Sequence, residues 1–275
     1  MRIGMFAAVL CLLTLPAPPV CCQSDWPMYA HDASSTRYSP LNQINTQNVQ
    51  NLTRAWTYHL KKDGPRPLSA GAAGRGGGRR SSQATPIMIN GKLYLPTPYG
   101  TVIALDPETG AELWSYKLDH GRPAGRGVAY WHGDAKTPAS ILFGTSDGRL
   151  MSLNAENGKP TVGFGANGSV DIRTGVLNGF SDAQFDVTSP VTIYKDLAIA
   201  GGQIQESPGT GASGDPRAFD VHTGKLVWRF HSVPHPDETG NDTWAGNSWK
   251  NRSGTNVWGF MSLDLERGLI FLPFG

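Results

Sequence analysis

Short apolar runs separated by turn residues organise this chain, and no sustained helical period does. Ile87-Met88-Ile89 and Leu93-Tyr94-Leu95 flank Asn90-Gly91. Asn-Gly between two apolar runs is a strong hairpin signal, because both residues accept positive φ. Next comes Ala104-Leu105-Asp106-Pro107-Glu108-Thr109-Gly110-Ala111-Glu112-Leu113-Trp114. Here Asp106 is predicted to cap the turn backbone and Gly110 to take the positive-φ position, giving a second hairpin. This run recurs as Ala218-Phe219-Asp220-Val221-His222-Thr223-Gly224-Lys225-Leu226-Val227-Trp228. Weaker copies are Ser152-Leu153-Asn154-Ala155-Glu156-Asn157-Gly158-Lys159 and Ser262-Leu263-Asp264-Leu265-Glu266-Arg267-Gly268-Leu269. The Asp or Asn positions 106, 154, 220 and 264 stand 48, 66 and 44 residues apart. Val191-Thr192-Ile193 and Leu197-Ala198-Ile199-Ala200, around Lys195-Asp196, supply another leading hairpin. Two hairpins in a period near about 45 residues make a four-stranded sheet, the unit of a propeller blade. A closing tryptophan would pack between neighbouring sheets, since one sheet cannot bury its face alone. The pattern predicts an all-β fold, a β-propeller of four-stranded blades with tryptophan-closed repeats.

Composition agrees with a turn-rich fold: 34 glycines and 20 prolines fall among 275 residues. The 24 basic and 22 acidic residues leave a net charge of +2. That balance offers no electrostatic footprint for nucleic acid or an anionic membrane. Residues 1–22 read as a signal peptide: Arg2, then an apolar stretch from Met5 to Leu15, then turn-forming residues. The stretch is too short to remain as a membrane span, and the expected location is periplasmic or secreted. All three cysteines (Cys11, Cys21, Cys22) lie in this segment, so a mature chain 23–275 has no thiol. A lipid anchor through Cys21 or Cys22 is the alternative, and the preceding Pro18-Pro19-Val20 matches its signal poorly.

Residues 68–80 (LSAGAAGRGGGRR) read as a flexible Gly- and Arg-rich loop, with no Gly-Lys-Ser/Thr to make them a phosphate cradle. Residues 231–256 form a long polar loop carrying Trp244 and Trp249, and long loops in compact domains are usually functional. His231 and His235 stand four apart, but Pro234 and Pro236 forbid the helix that would align them for a metal. No Gly-x-Ser-x-Gly, Walker loop, His-Glu-x-x-His or cysteine nucleophile follows the signal segment. The residues alone reach an exported propeller and name no reaction.

A resemblance adds one. Asp25-Trp26-Pro27-Met28-Tyr29, followed by Thr36-Arg37-Tyr38-Ser39-Pro40-Leu41, Ile44-Asn45, Asn48-Val49, Leu52 and Ala55-Trp56, resembles the opening of the mature pyrroloquinoline quinone (PQQ) dependent dehydrogenases. With the Asp-x-x-Thr-Gly-x-x-x-Trp repeats, the resemblance covers residues 25–275. It implies an eight-bladed propeller, of which about half is present here, with PQQ and Ca2+ on its axis. The remaining C-terminal blades would then be a partner. By this resemblance Arg126 lies against the quinone oxygens, a role suited to a planar guanidinium. Thr188 meets a PQQ carboxylate, and Gln83 stands where alcohol-type members carry a glutamate beside the cofactor. Glu206 takes the place of the calcium-binding glutamate, and Trp258 that of the tryptophan under the flat quinone. Taken singly, each is as well explained as a surface arginine, a loop acid or a core tryptophan; their order along the chain favours the site.

Departures are equally specific. Thr97-Pro98-Tyr99-Gly100 replaces the adjacent cysteine pair of alcohol and membrane glucose types. The family's calcium-binding asparagine and catalytic aspartate would follow residue 275, so no catalytic residue is named. The resemblance implies oxidation of an alcohol or sugar by hydride transfer to the quinone, with a cytochrome or quinone as electron acceptor. This chain alone is expected to be inactive. Arg217-Ala218-Phe219-Asp220 and the 231–256 loop tilt the expectation toward sugars or polyols. The alternative is a non-enzymatic propeller that scaffolds protein interactions in the periplasm.

Overall fold

The computed structural model describes residues 25–60 and 82–275. The signal segment 1–22 and the 68–80 loop lie outside the described residues. Antiparallel meanders follow one another along the chain. The first sheet joins β1 (Ile87–Ile89), β2 (Lys92–Thr97), β3 (Thr101–Leu105) and β4 (Glu112–Lys117) in chain order. As the Asn-Gly signal requires, Asn90 and Gly91 take φ of 51° and 70° in its first turn, and Ile87 faces Tyr94. The second sheet joins β5 (Ala129–Trp131), β6 (Ser140–Gly144), β7 (Arg149–Asn154) and β8 (Ser169–Asp171). Six further strands follow: β9 (Phe185–Asp186), β10 (Thr192–Tyr194), β11 (Leu197–Ala200), β12 (Gln203–Ile204), β13 (Arg217–Asp220) and β14 (Leu226–Arg229). Of these, β10, β11, β13 and β14 make the third sheet, while β12 turns aside to pair with β9. A hairpin of β15 (Ser262–Asp264) and β16 (Leu269–Phe271) ends the series. Among the described residues no helix is long and apolar enough to cross a membrane.

The four repeats share one turn. Asp106 Oδ1 accepts the N–H groups of Glu108 and Thr109 at 2.9 and 2.8 Å, and Asn154 Oδ1 those of Glu156 and Asn157 at 2.9 and 3.2 Å. Asp220 and Asp264 accept from Thr223 and Arg267 at 2.8 and 2.9 Å. Gly110, Gly158, Gly224 and Gly268 close these turns at φ of 72°, 70°, 72° and 66°, where a side chain is strained. The copy at Asn154 departs from the hairpin expected after it. Pro160, which has no N–H for a ladder, makes only an isolated bridge to Leu153, and β8 supplies the fourth strand later.

Tryptophans join neighbouring sheets at these same glycines. Trp114 of β4 reaches the second sheet, where its Nε1 donates to Ala155 O at 3.0 Å. Its ring lies so close under Gly158 that an added Cβ would stand 2.5 Å from Cε3. Trp56 repeats the arrangement on the first sheet: Nε1 donates to Pro107 O at 3.0 Å, and a Cβ on Gly110 would stand 2.6 Å from the ring. Phe164 and Val170 take this part at Gly224. One buried core therefore joins the first two sheets through Tyr94, Trp114, Phe143 and Leu153. Another joins the second and third through Trp131, Leu142, Leu150, Phe164 and Phe219.

The first strands of the successive sheets surround a shared space. A cavity of about 630 Å3 is lined by Ile89, Tyr130, Ile193 and Met261 and covered by Met28 and Tyr29. The covering segment is tied at both ends, since Trp26 N donates to Met88 O at 2.8 Å and Leu263 N to Ala33 O at 2.7 Å. Tyr29 stacks on Phe260 with ring centroids 3.3 Å apart.

Candidate cofactor site

The predicted site residues are scattered from 83 to 258 in sequence, yet four of the five precede the first strand of a sheet. Gln83 stands four residues before β1, Arg126 three before β5, Thr188 four before β10 and Trp258 four before β15. In a propeller these first strands run side by side around the axis, so their starting points gather at one end. Three of the residues meet there. Arg126 Nη1 donates to Thr188 Oγ1 at 2.8 Å, to Ser189 Oγ at 3.3 Å and to the backbone oxygen of Trp258 at 3.4 Å. Its guanidinium carbon lies 4.9 Å from the centre of the Trp258 ring, within range of a cation–π attraction. Backbone bonds carry the same connection, from Arg126 N to Thr188 O at 3.3 Å and from Thr85 N to Arg126 O at 3.1 Å.

Close approach of the segments depends on small residues. A Cβ on Gly127 would stand 3.0 Å from Pro190 Cγ, and one on Gly201 would stand 2.0 Å from Val257 O. The second contact lets the chain just after β11 pack against the segment leading to Trp258. Trp258 itself is 42% exposed. A large ring left half open and flanked by a cation is a surface suited to a flat anionic ligand. Arg126 still has its Nε and Nη2 free of any described partner, so donors remain for such a ligand.

The other two predicted residues are placed differently. Gln83 is exposed, two residues from the Thr85 bond to Arg126, and shares no hydrogen bond with the three clustered residues. Glu206 follows β12, is exposed, and takes no hydrogen bond or ion pair from the described residues. Its segment lies against residues 253–254, where Ser253 Oγ donates to Gln205 O. Among the described residues no group of three His, Cys, Asp or Glu side chains could hold a metal ion. His231 and His235 do meet, their rings stacked at 3.7 Å, although no helix brings them together. His231 Nδ1 is engaged by Glu238 Oε1 at 2.7 Å.

Two residues of the site region escaped the sequence reading. Ser189, 7% exposed, donates from Oγ to Trp258 O at 2.7 Å. Serine before proline is an ordinary turn signal, and nothing local marked it. Arg217 entered only as the first residue of the Arg217-Ala218-Phe219-Asp220 run that tilted the expectation toward sugars or polyols. It lies inside the third sheet at 2% exposure, its guanidinium 5.2 Å from the Phe185 ring and 5.6 Å from that of Phe219. Burial, with Arg229 nearby, pulls its pKa down to about 10.

With this geometry in view, the comparisons with known proteins are direct. Residues 26–275 match the PQQ family of the glucose/ethanol/alcohol dehydrogenase β-propeller domain. The alcohol dehydrogenase (quinone) dehydrogenase subunit of Gluconobacter oxydans is 34% identical, over 91% of this chain and 32% of its own length. The quinate/shikimate dehydrogenase (quinone) of Acinetobacter baylyi is 30% identical, over 95% of this chain and 34% of its own. This chain thus spans about a third of the length of these relatives. The crystal structure of quinohemoprotein alcohol dehydrogenase from Comamonas testosteroni superimposes with a TM-score of 0.68, at 29% identity, over 88% of this chain and 34% of that one. The chain belongs to the β-propeller family of the PQQ-dependent glucose, ethanol and alcohol dehydrogenases, and its described sheets are part of that propeller.

Proposed function

We propose that this chain supplies the PQQ-binding side of an exported dehydrogenase that oxidises an alcohol or sugar. The observation that carries this reading is the convergence of Arg126, Thr188 and Trp258 from three sheets at one end of the first strands. PQQ is a planar quinone with several carboxylates, and the residues present fit such a group. Trp258 offers a half-exposed face, Arg126 offers unspent N–H donors, and Thr188 offers a hydroxyl. When bound, PQQ supplies a two-electron acceptor for hydride. Trp258 would support one face of the ring system, while Arg126 binds oxygens at its edge and fixes its rotation. Gln83, two residues before the Thr85 bond to the Arg126 carbonyl, is assigned to the same edge.

Calcium fits the described residues less well. Glu206 contributes one carboxylate, whereas the ion takes about 6–8 oxygen ligands. Glu206 is therefore assigned as one metal ligand among others supplied from outside the described residues, and no step is derived through the ion. Among the described residues no carboxylate is paired with Arg126 either, so the base that takes the substrate hydroxyl proton is likewise assigned elsewhere. Reoxidation by a cytochrome or quinone, and export through residues 1–22, belong to the same proposal.

The test is a titration of the chain with PQQ, with and without calcium, followed by tryptophan fluorescence and equilibrium dialysis. Saturable quenching is expected, and Arg126→Ala should weaken binding by about 10- to 150-fold, the span of a charge-assisted hydrogen bond of about 1.5–3 kcal/mol. Trp258→Ala should remove most of the quenching. No turnover of alcohols or sugars with an artificial acceptor is expected from the chain alone. PQQ binding that is indifferent to Arg126 and Trp258 would overturn the assignment.

A further inference from the structure

Arg126 and Trp258 belong to different sheets, and 132 residues separate them. Three groups meet at the Trp258 carbonyl, Arg126 Nη1 at 3.4 Å, Thr188 Oγ1 at 3.3 Å and Ser189 Oγ at 2.7 Å, and the serine hydroxyl makes the shortest contact. Ser189 Oγ stands 3.3 Å from Arg126 Nη1 and 2.7 Å from Trp258 O. The guanidinium can only donate, so the hydroxyl accepts from Arg126, and its single hydrogen is directed to the tryptophan carbonyl. The result is a two-step chain of fixed polarity, from Arg126 through Ser189 to Trp258, at a position only 7% exposed. The low exposure of the serine strengthens its bonds, and loss of its hydroxyl would leave the Trp258 carbonyl with only the two longer contacts.

Ser189 is also held more firmly than its neighbours. Pro190 follows it and restricts its backbone to extended conformations, and Gly127 packs directly on the Pro190 ring. Thr188 also reaches Trp258 O, at 3.3 Å against 2.7 Å for Ser189, while its own bond from Arg126 at 2.8 Å is shorter than the 3.3 Å one to Ser189. A threonine that turned its hydroxyl to a ligand would give up its longer contact with the carbonyl and leave the 2.7 Å bond intact. We propose that Ser189 is the positioning residue that sets the face of Trp258 relative to Arg126, leaving Thr188 available to the cofactor. This deepens the PQQ reading and, in its ligand-binding consequence, rests on it.

The experiment uses the full chain labelled with 5-fluorotryptophan and read by fluorine NMR, with the Trp258 resonance assigned through Trp258→Phe. Ser189→Ala should shift or broaden the Trp258 signal and leave the other seven tryptophans in place. Ser189→Thr, which keeps the hydroxyl, should restore it. A Trp258 signal unmoved in Ser189→Ala would overturn the proposal. So would displacement of all the signals, which would mark a general structural role, or a threonine variant that behaves like alanine. In the ligand arm, Ser189→Ala should weaken PQQ binding about tenfold, the size of one neutral hydrogen bond, with Ser189→Thr close to the parent. Equal PQQ affinity in Ser189→Ala would also overturn it. If the parent chain takes up no PQQ, the cofactor reading falls while the fluorine signals still decide the role of Ser189.

Discussion

Gly158 is held by two demands at once, its own positive φ of 70° and the Trp114 ring 2.5 Å from where a Cβ would stand. Gly91 has the same φ but nothing within 4 Å of a Cβ. Gly91→Ala should therefore cost only the conformational strain, about 1–2 kcal/mol. Gly158→Ala should cost about 2–5 kcal/mol, because displacement of a packed ring adds about 1–3. Urea unfolding of the two variants checks the difference, and equal costs would show that the tryptophan contact contributes nothing. The glycines were legible in the sequence as turn formers, since Asp-x-x-Thr-Gly states its own geometry. Their second role was not, because the ring that meets Gly158 comes from 44 residues earlier in the chain. The site divides in the same way. Arg126, Thr188 and Trp258 could be named only through family resemblance, while Ser189 carries no mark beyond the proline after it.

Neighbouring sheets are also joined by charge. His222, in the turn between β13 and β14, lies with Nε2 3.0 Å from Asp134 Oδ2 in the loop between β5 and β6, and with Nδ1 3.5 Å from Asp220. Burial alone would lower the His222 pKa, but the two carboxylates outweigh it and the net shift is upward. Asp134 is held down to about 2, first by the N–H groups of Lys136 and Thr137 and then by His222. For Asp220, burial pushes upward, but the bonds from Thr223 and His222 win and its pKa falls. The contribution is thus complete between the ordinary carboxylate and imidazole values, roughly pH 4 to 6.5. It is lost as pH rises through the raised His222 pKa, and again in acid as pH falls through the lowered carboxylate pKa values. The Tm difference between the parent chain and His222→Phe should narrow from pH 5.5 to pH 8.5, and a constant difference would remove this contact from the account. Element by element, hairpins with Asn-Gly or Asp-x-x-Thr-Gly turns were readable. The pair β5 and β6 was not, because an eight-residue loop without such a turn joins them and β6 is buried at every position, leaving no alternation to detect. The two-residue ladder of β9 and β12 is shorter than any pattern can signal.

At the scale of the whole molecule, three sheets among the described residues have four strands and the last hairpin has two. Leu269 and Phe271 of β16 are 50% and 58% exposed, on a strand that pairs only with β15 among the described residues. Such an edge is a template for further pairing. The chain alone should self-associate at roughly micromolar to millimolar concentration, the range in which exposed apolar surface and unpaired strand edges associate, and Leu269→Lys with Phe271→Lys should move its sedimentation toward monomer. Unchanged sedimentation would assign any association to another surface. Although the repeats stand 48, 66 and 44 residues apart, the segments before β5, β10 and β15 bring Arg126, Thr188 and Trp258 together. A pocket built this way takes its width from the number of sheets around the ring, as a wheel's hub is set by its spokes and not by the rim. Length added at the outer turns, such as the glycine-rich stretch between β7 and β8, therefore leaves the hub unchanged.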